Sequence, residues 1–322
     1  MNDVSRRTVG LGLAAIASSV ASRARSQEAW PGKRVTMIVG FAAGGFADNV
    51  ARVIATRLGE RWKQSVIVQN MPGAGGNIAA RSVSIAPPDG YTLLATTTSL
   101  AINETANKDK GFSVDALAPI AFPVEAPELL ASNPKSGIST MADALAKART
   151  GALYLGTSGI GSGSHISAEY FFKVLAKVDV KHIPFPGGNP ALLALMTGDV
   201  NLMASTSTVT TSILSGELAG IAVGSARRTP ILPDVPTYAE LGYPGFTPGS
   251  WSGFFAPAGT PPAILDLINA TVNEVIADED IRRQFSRVGL VARQAPRAEV
   301  AAYFRSEVAR WSEMVKAIGL QG

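Results

Sequence analysis

Val35 to Val39 is a β-branched run that breaks into Gly40-Phe41-Ala42-Ala43-Gly44-Gly45, and apolar residues at helical spacing follow at once: Val50, Val53, Ile54 and Leu58, with Arg52, Arg57 and Arg61 between them. This change of period predicts a buried strand, a tight glycine turn and an amphipathic helix. Val66-Ile67-Val68 reads as a second strand, Gly73 to Val83 as a glycine turn and a helix, and Tyr91 to Ala95 as a third strand after Pro87-Pro88-Asp89-Gly90. The order βαβαβ predicts an α/β fold whose mostly parallel sheet has its binding crevice at the carboxyl ends of the strands.

A second glycine turn, Gly156-Thr157-Ser158-Gly159-Ile160-Gly161-Ser162-Gly163-Ser164-His165, lies between the apolar Ala152 to Leu155 and a helical stretch from Ile166 to Leu175. Each turn presents bare backbone N–H groups at a helix N-terminus, which suits them to an anion. Two such cradles over a hundred residues apart suggest two walls of one cleft. Between them a proline-punctuated segment, Ala118 to Pro134, carries the chain into a second α/β unit, and the proline-rich tract Pro230 to Pro262 carries it back. Two terminal helices are expected, one lined by Ile264, Leu265, Ile268, Val272, Val275 and Ile276, the other by Val300, Phe304, Val308, Trp311 and Val315. The expected organisation is an export signal at 1–26, a first domain at 27–124 and 251–322, and a second at 125–250.

The chain has 322 residues, 46% of them apolar, enough to bury two cores. It contains no cysteine, which excludes disulfides, thiolate metal sites and cysteine catalysis. The formal charge of +4 arises mainly from Arg6, Arg7, Arg23 and Arg25, and no basic face with interleaved aromatics suggests nucleic acid. Arg6-Arg7, the apolar run Val9 to Val20 and the small-x-small site Ala24-Arg25-Ser26 read as a leader cleaved near Ser26/Gln27. The twin arginines fit one export route and ordinary secretion remains open; either delivers the mature chain outside the cytoplasm.

Gly156-Thr157-Ser158-Gly159 lacks the final glycine of a nucleophile elbow, because Ile160 stands there. There is no His-Glu-x-x-His and no phosphate loop ending in Gly-Lys-Ser or Gly-Lys-Thr, and Ser164 occupies the last glycine position of a Gly-x-Gly-x-x-Gly begun at Gly159. Of the two histidines, His165 is placed to orient the second loop or donate to an anion, or to act as a base beside Ser158 or Ser162; His182 reads as a structural residue of an apolar strand. With two ring systems, a histidine-rich metal site is not expected. Asp48 either caps the first helix or accepts from a ligand amine or hydroxyl, and Phe41, Phe46 and Trp251 are candidate cleft walls. No cofactor is implied.

The motifs Phe41-Ala42-x-Gly44-Gly45-x-x-Asp48-x-x-Ala51-Arg52, Asn70-x-Pro72-Gly73-Ala74-Gly75-Gly76-Asn77-Ile78, Pro88-Asp89-Gly90-Tyr91-Thr92-Leu93, Ser158-Gly159-x-Gly161-Ser162-x-x-His165, Leu232-Pro233-Asp234-Val235-Pro236-Thr237 and Ala256-Pro257-Ala258-Gly259-Thr260-Pro261 run over essentially the whole mature chain. In these the sequence resembles the substrate-binding proteins of tripartite tricarboxylate transporters, the Bug family. The resemblance implies a two-lobed, type II periplasmic-binding-protein fold that closes over a small carboxylate. It places ligand contacts on Phe41, Ala42, Ala43, Gly44, Gly45, Phe46 and Asp48 in the first loop and on Thr157, Ser158, Gly159, Gly161, Ser162 and His165 in the second, and Thr97, Thr98 and Ser205 complete the candidate set. The chain departs from the family pattern at Ala43 for proline, Phe46 for glycine, Ala47 for a hydroxyl residue, and Ala204-Ser205 for an aromatic–aspartate pair, so its ligand is expected to differ at the distal end.

These readings converge on a monomeric, non-enzymatic receptor. Its expected ligand is a small organic acid, whether a di- or tricarboxylate, an aromatic acid or an acidic amino acid, passed to membrane permease subunits. A ligand-presenting sensory receptor and an exported serine hydrolase are the alternatives.

Overall fold

The computed structural model describes residues 30–107 and 109–320, so the leader read at 1–26 lies outside the described residues. The chain begins with β1 (Val35–Val39), α1 (Phe46–Trp62), β2 (Val66–Asn70), α2 (Asn77–Ser84), β3 (Thr92–Thr97) and α3 (Ser99–Ala106). This is the expected βαβαβ unit, with β1 parallel to both β2 and β3. Alternation along β1 sends Met37 and Val39 into one core and Ile38 into the other, so both faces of the strand are covered.

Next come β4 (Leu117–Pro127) and β5 (Leu129–Ser132), then α4 (Met141–Arg149), β6 (Tyr154–Thr157) and α5 (Gly163–Glu169), which runs on into a π-turn at Tyr170–Leu175. They are followed by β7 (Lys181–Pro184), α6 (Gly188–Thr197), β8 (Leu202–Ser205), α7 (Thr210–Leu214) and β9 (Ala219–Val223). The chain returns through β10 (Gly249–Pro257), α8 (Pro262–Ala277), α9 (Glu279–Ser286), β11 (Val291–Ala292) and α10 (Arg297–Ala317).

Two sheets result, in the orders β11-β4-β10-β3-β1-β2 and β7-β6-β8-β5-β9. The first packs α1 and α8 on one face through Val50, Ile54, Leu58, Val272 and Ile276, and α2, α3 and α10 on the other through Val83, Leu100, Val300 and Trp311. The second is likewise covered on both faces, by Leu155, Phe171, Phe172 and Tyr238 and by Leu195, Met203, Val209 and Val235.

The two-sheet α/β architecture is as expected, but each sheet is mixed rather than mostly parallel. β4 and β10 run antiparallel to each other, β10 runs antiparallel to β3, and β5 runs antiparallel to both β8 and β9. The cause is the pair of crossing segments, which the prolines disguise as loops. Pro119 and Pro123 sit where the β4–β10 ladder is already broken by register shifts around Ser252, Phe254 and Phe255. A strand tolerates a missing N–H at such interruptions.

Candidate functional site

The first glycine loop leaves β1 at its carboxyl end and is held by an internal latch. The Asp48 carboxylate accepts from the Gly44 N–H at 2.9 Å, from Arg52 Nε at 2.9 Å and from Asn70 Nδ2 at 2.8 Å. Asn70 Nδ2 also donates to the Phe41 carbonyl at 2.9 Å, so one side chain from β2 ties both ends of the loop. Burial raises the carboxyl's pKa, but the bonds from Arg52, Gly44 and Asn70 outweigh it and hold Asp48 below the usual carboxylate range. Asp48 is 1% exposed with both oxygens engaged, so it shapes the loop and is not an acceptor for a ligand. The Gly44 N–H is likewise consumed. What remains open is the N-terminus of α1, which has no side-chain cap, beside the exposed Ala42 and Ala43 and the half-buried Gly45.

Two of the positions read as setting selectivity face elsewhere. Ala47 is buried in the first core, and the half-buried Phe46 and Phe41 rings pack against that same core. Trp251, expected as a cleft wall, is 1% exposed and donates Nε1 to Glu307 at 2.9 Å.

The second loop follows β6. Gly159 and Gly161 have φ of 121° and 76°, a region that side-chain-bearing residues avoid. The Ser162 hydroxyl accepts the His165 N–H at the start of α5 and donates to the Gly159 carbonyl at 2.7 Å. His165 Nδ1 accepts from the Gly161 N–H at 3.2 Å, and its ring stacks on His182 at 4.1 Å between centroids. His182 Nε2 in turn lies 2.7 Å from the Thr157 hydroxyl. Burial first, then the neighbouring His182 and Lys173, push His165 down to about 3, and burial lowers His182 as well. Both rings are therefore neutral at physiological pH and act as a stiff backing for the loop.

The serine-hydrolase alternative needs a serine hydroxyl bonded to a base. Ser162 spends its hydroxyl on Gly159, Ser158 pairs with Ser164 at 3.2 Å, and among the described residues no serine hydroxyl meets the His165 ring. His165, Glu169 and His182 do bring ligand atoms within 4.8 Å of one another. They do not form a metal centre as arranged: the rings are nearly parallel, at 20°, so their in-plane lone pairs do not converge on one ion. Accepting the Gly161 N–H at Nδ1 also occupies that lone pair and leaves the neutral ring's proton on Nε2.

The loops meet over α3. A Cβ on Gly163 would lie 2.8 Å from Thr98 Oγ1, and one on Gly161 would lie 3.7 Å from Asn103 Oδ1. Thr98 is held by Ser250 at 3.0 Å, and Asn103 Nδ2 donates to the Gly75 carbonyl at 3.3 Å. The Phe41 ring in turn faces Gly76, which closes the circuit from the first loop through the Gly73–Gly76 turn and α3 to the second. Thr98 thus belongs to this seam. Thr97 is bonded inward to Ser99, and Ser205 is buried in β8. Asn70, Asn77 and Asn103 were missed as site residues. The first two belong to the motif from Asn70 to Ile78, and Asn103 sits in a helix with no local signal.

One residue, Glu128, separates β4 in the first sheet from β5 in the second. Its N–H donates to the Pro248 carbonyl at 3.0 Å and its carbonyl accepts from Gly224 at 2.7 Å, so the outgoing and returning segments are bonded side by side. A Cβ on Gly224 would lie 1.8 Å from the Pro248 oxygen, which only glycine permits. The Glu128 carboxyl is 2% exposed and faces Ser167 of α5, the helix that carries the second loop. Ile166 of the same helix is buried with Trp251 and Trp311 of the first sheet's core.

Comparison with known proteins fits this geometry. The model of the tripartite tricarboxylate transporter family receptor matches residues 50–320. BugT of Bordetella pertussis is 33% identical over 304 residues, covering 91% of this chain and 92% of that protein. An R. palustris protein solved with adipate superposes with a TM-score of 0.85 at 32% identity, covering 90% of this chain and 98% of that one. MatC from Rhodopseudomonas palustris with bound malate superposes with a TM-score of 0.81 at 32% identity, covering 89% and 100%.

Proposed function

This chain belongs to the tripartite tricarboxylate transporter receptor family, and from that premise we propose that it is an exported solute receptor that closes two lobes over a small carboxylate. The observation that carries the reading is the seam itself: glycines of one lobe's loop lie against Thr98 and Asn103 of the other, across a one-residue hinge. An acid bound there meets the uncapped N-terminus of α1 and the exposed Ser158 hydroxyl, while the latched Asp48 keeps its own charge occupied. Neutral His165 and His182 add rigidity without adding charge.

The lobes in this proposal keep the expected division but not its boundaries at 124/125 and 250/251, which fall inside β4 and β10: one lobe is 27–127 with 249–322, the other 129–247, and Glu128 and Pro248 lie at the crossings. The ligand contacts are the first-loop backbone from Phe41 to Phe46, Thr98, and the second loop from Thr157 to Ser162. The leader is removed near Ser26/Gln27, and the liganded, monomeric receptor docks on permease subunits in the periplasm. No helix among the described residues is long and apolar enough to cross a membrane.

The test is calorimetric titration of the chain from Gln27, refolded to strip carried-over ligand, against mono-, di- and tricarboxylates, aromatic acids and amino acids. Tight one-to-one binding with a more compact scattering profile is expected. Turnover of ester substrates that is lost in His165→Ala would overturn it in favour of the hydrolase.

A further inference from the structure

Asn103 bonds the Gly73–Gly76 turn of one lobe and faces Gly161 in the loop of the other, and its amide is oriented by a group that cannot rotate. Its nitrogen donates to the backbone carbonyl of Gly75 at 3.3 Å and to Asn77 Oδ1 at 3.0 Å. A peptide carbonyl is only an acceptor, so the nitrogen faces Gly75 and Oδ1 faces the other way, toward Gly161. Asn77 must then turn its own oxygen to Asn103, which leaves Asn77 Nδ2 buried and without a partner. Among the described residues no protein group donates to Asn103 Oδ1. The residue is 5% exposed, and the gap in front of that oxygen exists because residue 161 has no side chain, with a φ of 76°.

We propose that Asn103 determines specificity by presenting this carbonyl oxygen to the ligand, so that the receptor selects acids carrying a hydroxyl or ammonium donor close to the bound carboxylate. The inference rests on the receptor reading above and deepens it. An acceptor on a side chain only 5% exposed, with its nitrogen already fixed, gains from a ligand donor that reaches it. A carboxylate oxygen in the same place would meet the lone pairs of Oδ1, so the acid group is held by the loop N–H groups and Asn103 reads the neighbouring substituent. The same arrangement rejects plain alkanedioates, because sites built around a fixed polar partner discriminate far more sharply than apolar pockets do.

The experiment uses the refolded mature chain and matched pairs of C4 to C6 dicarboxylates that differ only in a 2-hydroxyl or 2-amino group, titrated by calorimetry. The wild-type protein is expected to prefer the donor-bearing member of at least one pair by about tenfold or more. In Asn103→Leu, and in Asn103→Ala should the bulkier change disturb the turn, that ratio is expected to fall toward one. The ratio is the readout because a bracing role alone would weaken both members equally. Binding of the acids without discrimination in the wild type, or a ratio that survives both substitutions, overturns the assignment of Asn103 and leaves the receptor reading intact. Binding of no acid in any pair overturns the receptor reading and this inference with it.

Discussion

Glu128→Gln tests whether the hinge carries a neutral carboxylic acid. Ser167 Oγ lies 2.7 and 2.8 Å from the two Glu128 oxygens and 2.7 Å from the Gly163 carbonyl. A hydroxyl has one hydrogen, so it serves one of these three acceptors. An ionised Glu128 would be left with a bare charge in a site 2% exposed to solvent, whereas a protonated one donates to Ser167, which then donates to Gly163. Tyr238, itself buried, adds no positive partner, and burial pushes the Glu128 carboxyl from 4.5 up to about 8, with the Ser167 bond pulling the other way. Between pH 4.5 and 8 the native protein therefore holds a proton that the unfolded chain has released. The resulting stability is fully present below pH 4.5, declines by up to ~1.4 kcal/mol per pH unit, and is gone above pH 8. By pH 7 the loss is roughly 3 kcal/mol. Glutamine keeps the shape and removes the titration. Urea unfolding of both proteins from pH 5 to 8.5, followed by circular dichroism, should show the stability difference swinging in favour of Glu128→Gln by about 4 kcal/mol as pH rises. The surplus N–H of glutamine costs about 1–3 kcal/mol at every pH and leaves the slope untouched. A difference that stays constant with pH, or a glutamine variant that loses ground as pH rises, would refute the hydrogen count.

Three further outcomes follow from the site. Asp48→Asn removes the charge-assisted bonds from Arg52 and the Gly44 N–H; it should cost about 1–2 kcal/mol of stability, discounted for the half-exposed Arg52, and lower acid affinity several-fold by calorimetry as the first loop loosens. Gly163→Ala places a Cβ against Thr98 Oγ1 at a position where the backbone itself tolerates alanine, so the melting temperature should move little while affinity drops tenfold or more and scattering shows a more open particle. His165, held near 3 by burial, should show flat imidazole chemical shifts from pH 8 to 5 by NMR, and a midpoint above 6 would remove the stacked neutral pair from the account.

Much of the fold was legible because it is written in near neighbours along the chain. The shift from the β-branched Val35 to Val39 to the helical spacing of Val50, Ile54 and Leu58 places β1, the glycine turn and α1 without any distant partner. The terminal helices at Pro262–Ala277 and Arg297–Ala317 show their buried faces in the same way. Strands β4 and β10 were read as proline-rich connections. Their prolines obscure the strand period, and the residues that pair them, such as Trp251 with Glu125, are over a hundred positions apart. Local pattern says nothing of such a ladder, and so it missed the antiparallel half of each sheet.

The same division runs through the site. Both glycine loops announced themselves in composition, because positive φ and close backbone approach demand glycine wherever they occur. What the loop residues do was decided by partners from elsewhere. Asn70 of β2 and Arg52 of α1 turn Asp48 inward, the core takes Ala47 and Trp251, and His182 stacks on His165. Asn103 and Glu128 carry no motif at all, since an asparagine in a helix and a glutamate beside a proline are ordinary in sequence. The sequence by itself determined the α/β order and the two cradles, through the backbone preferences of consecutive residues. Only the tertiary structure decided which polar groups are dry and which face one another, because burial and hydrogen-bond partnership depend on segments that meet only after the chain has crossed between the sheets and returned.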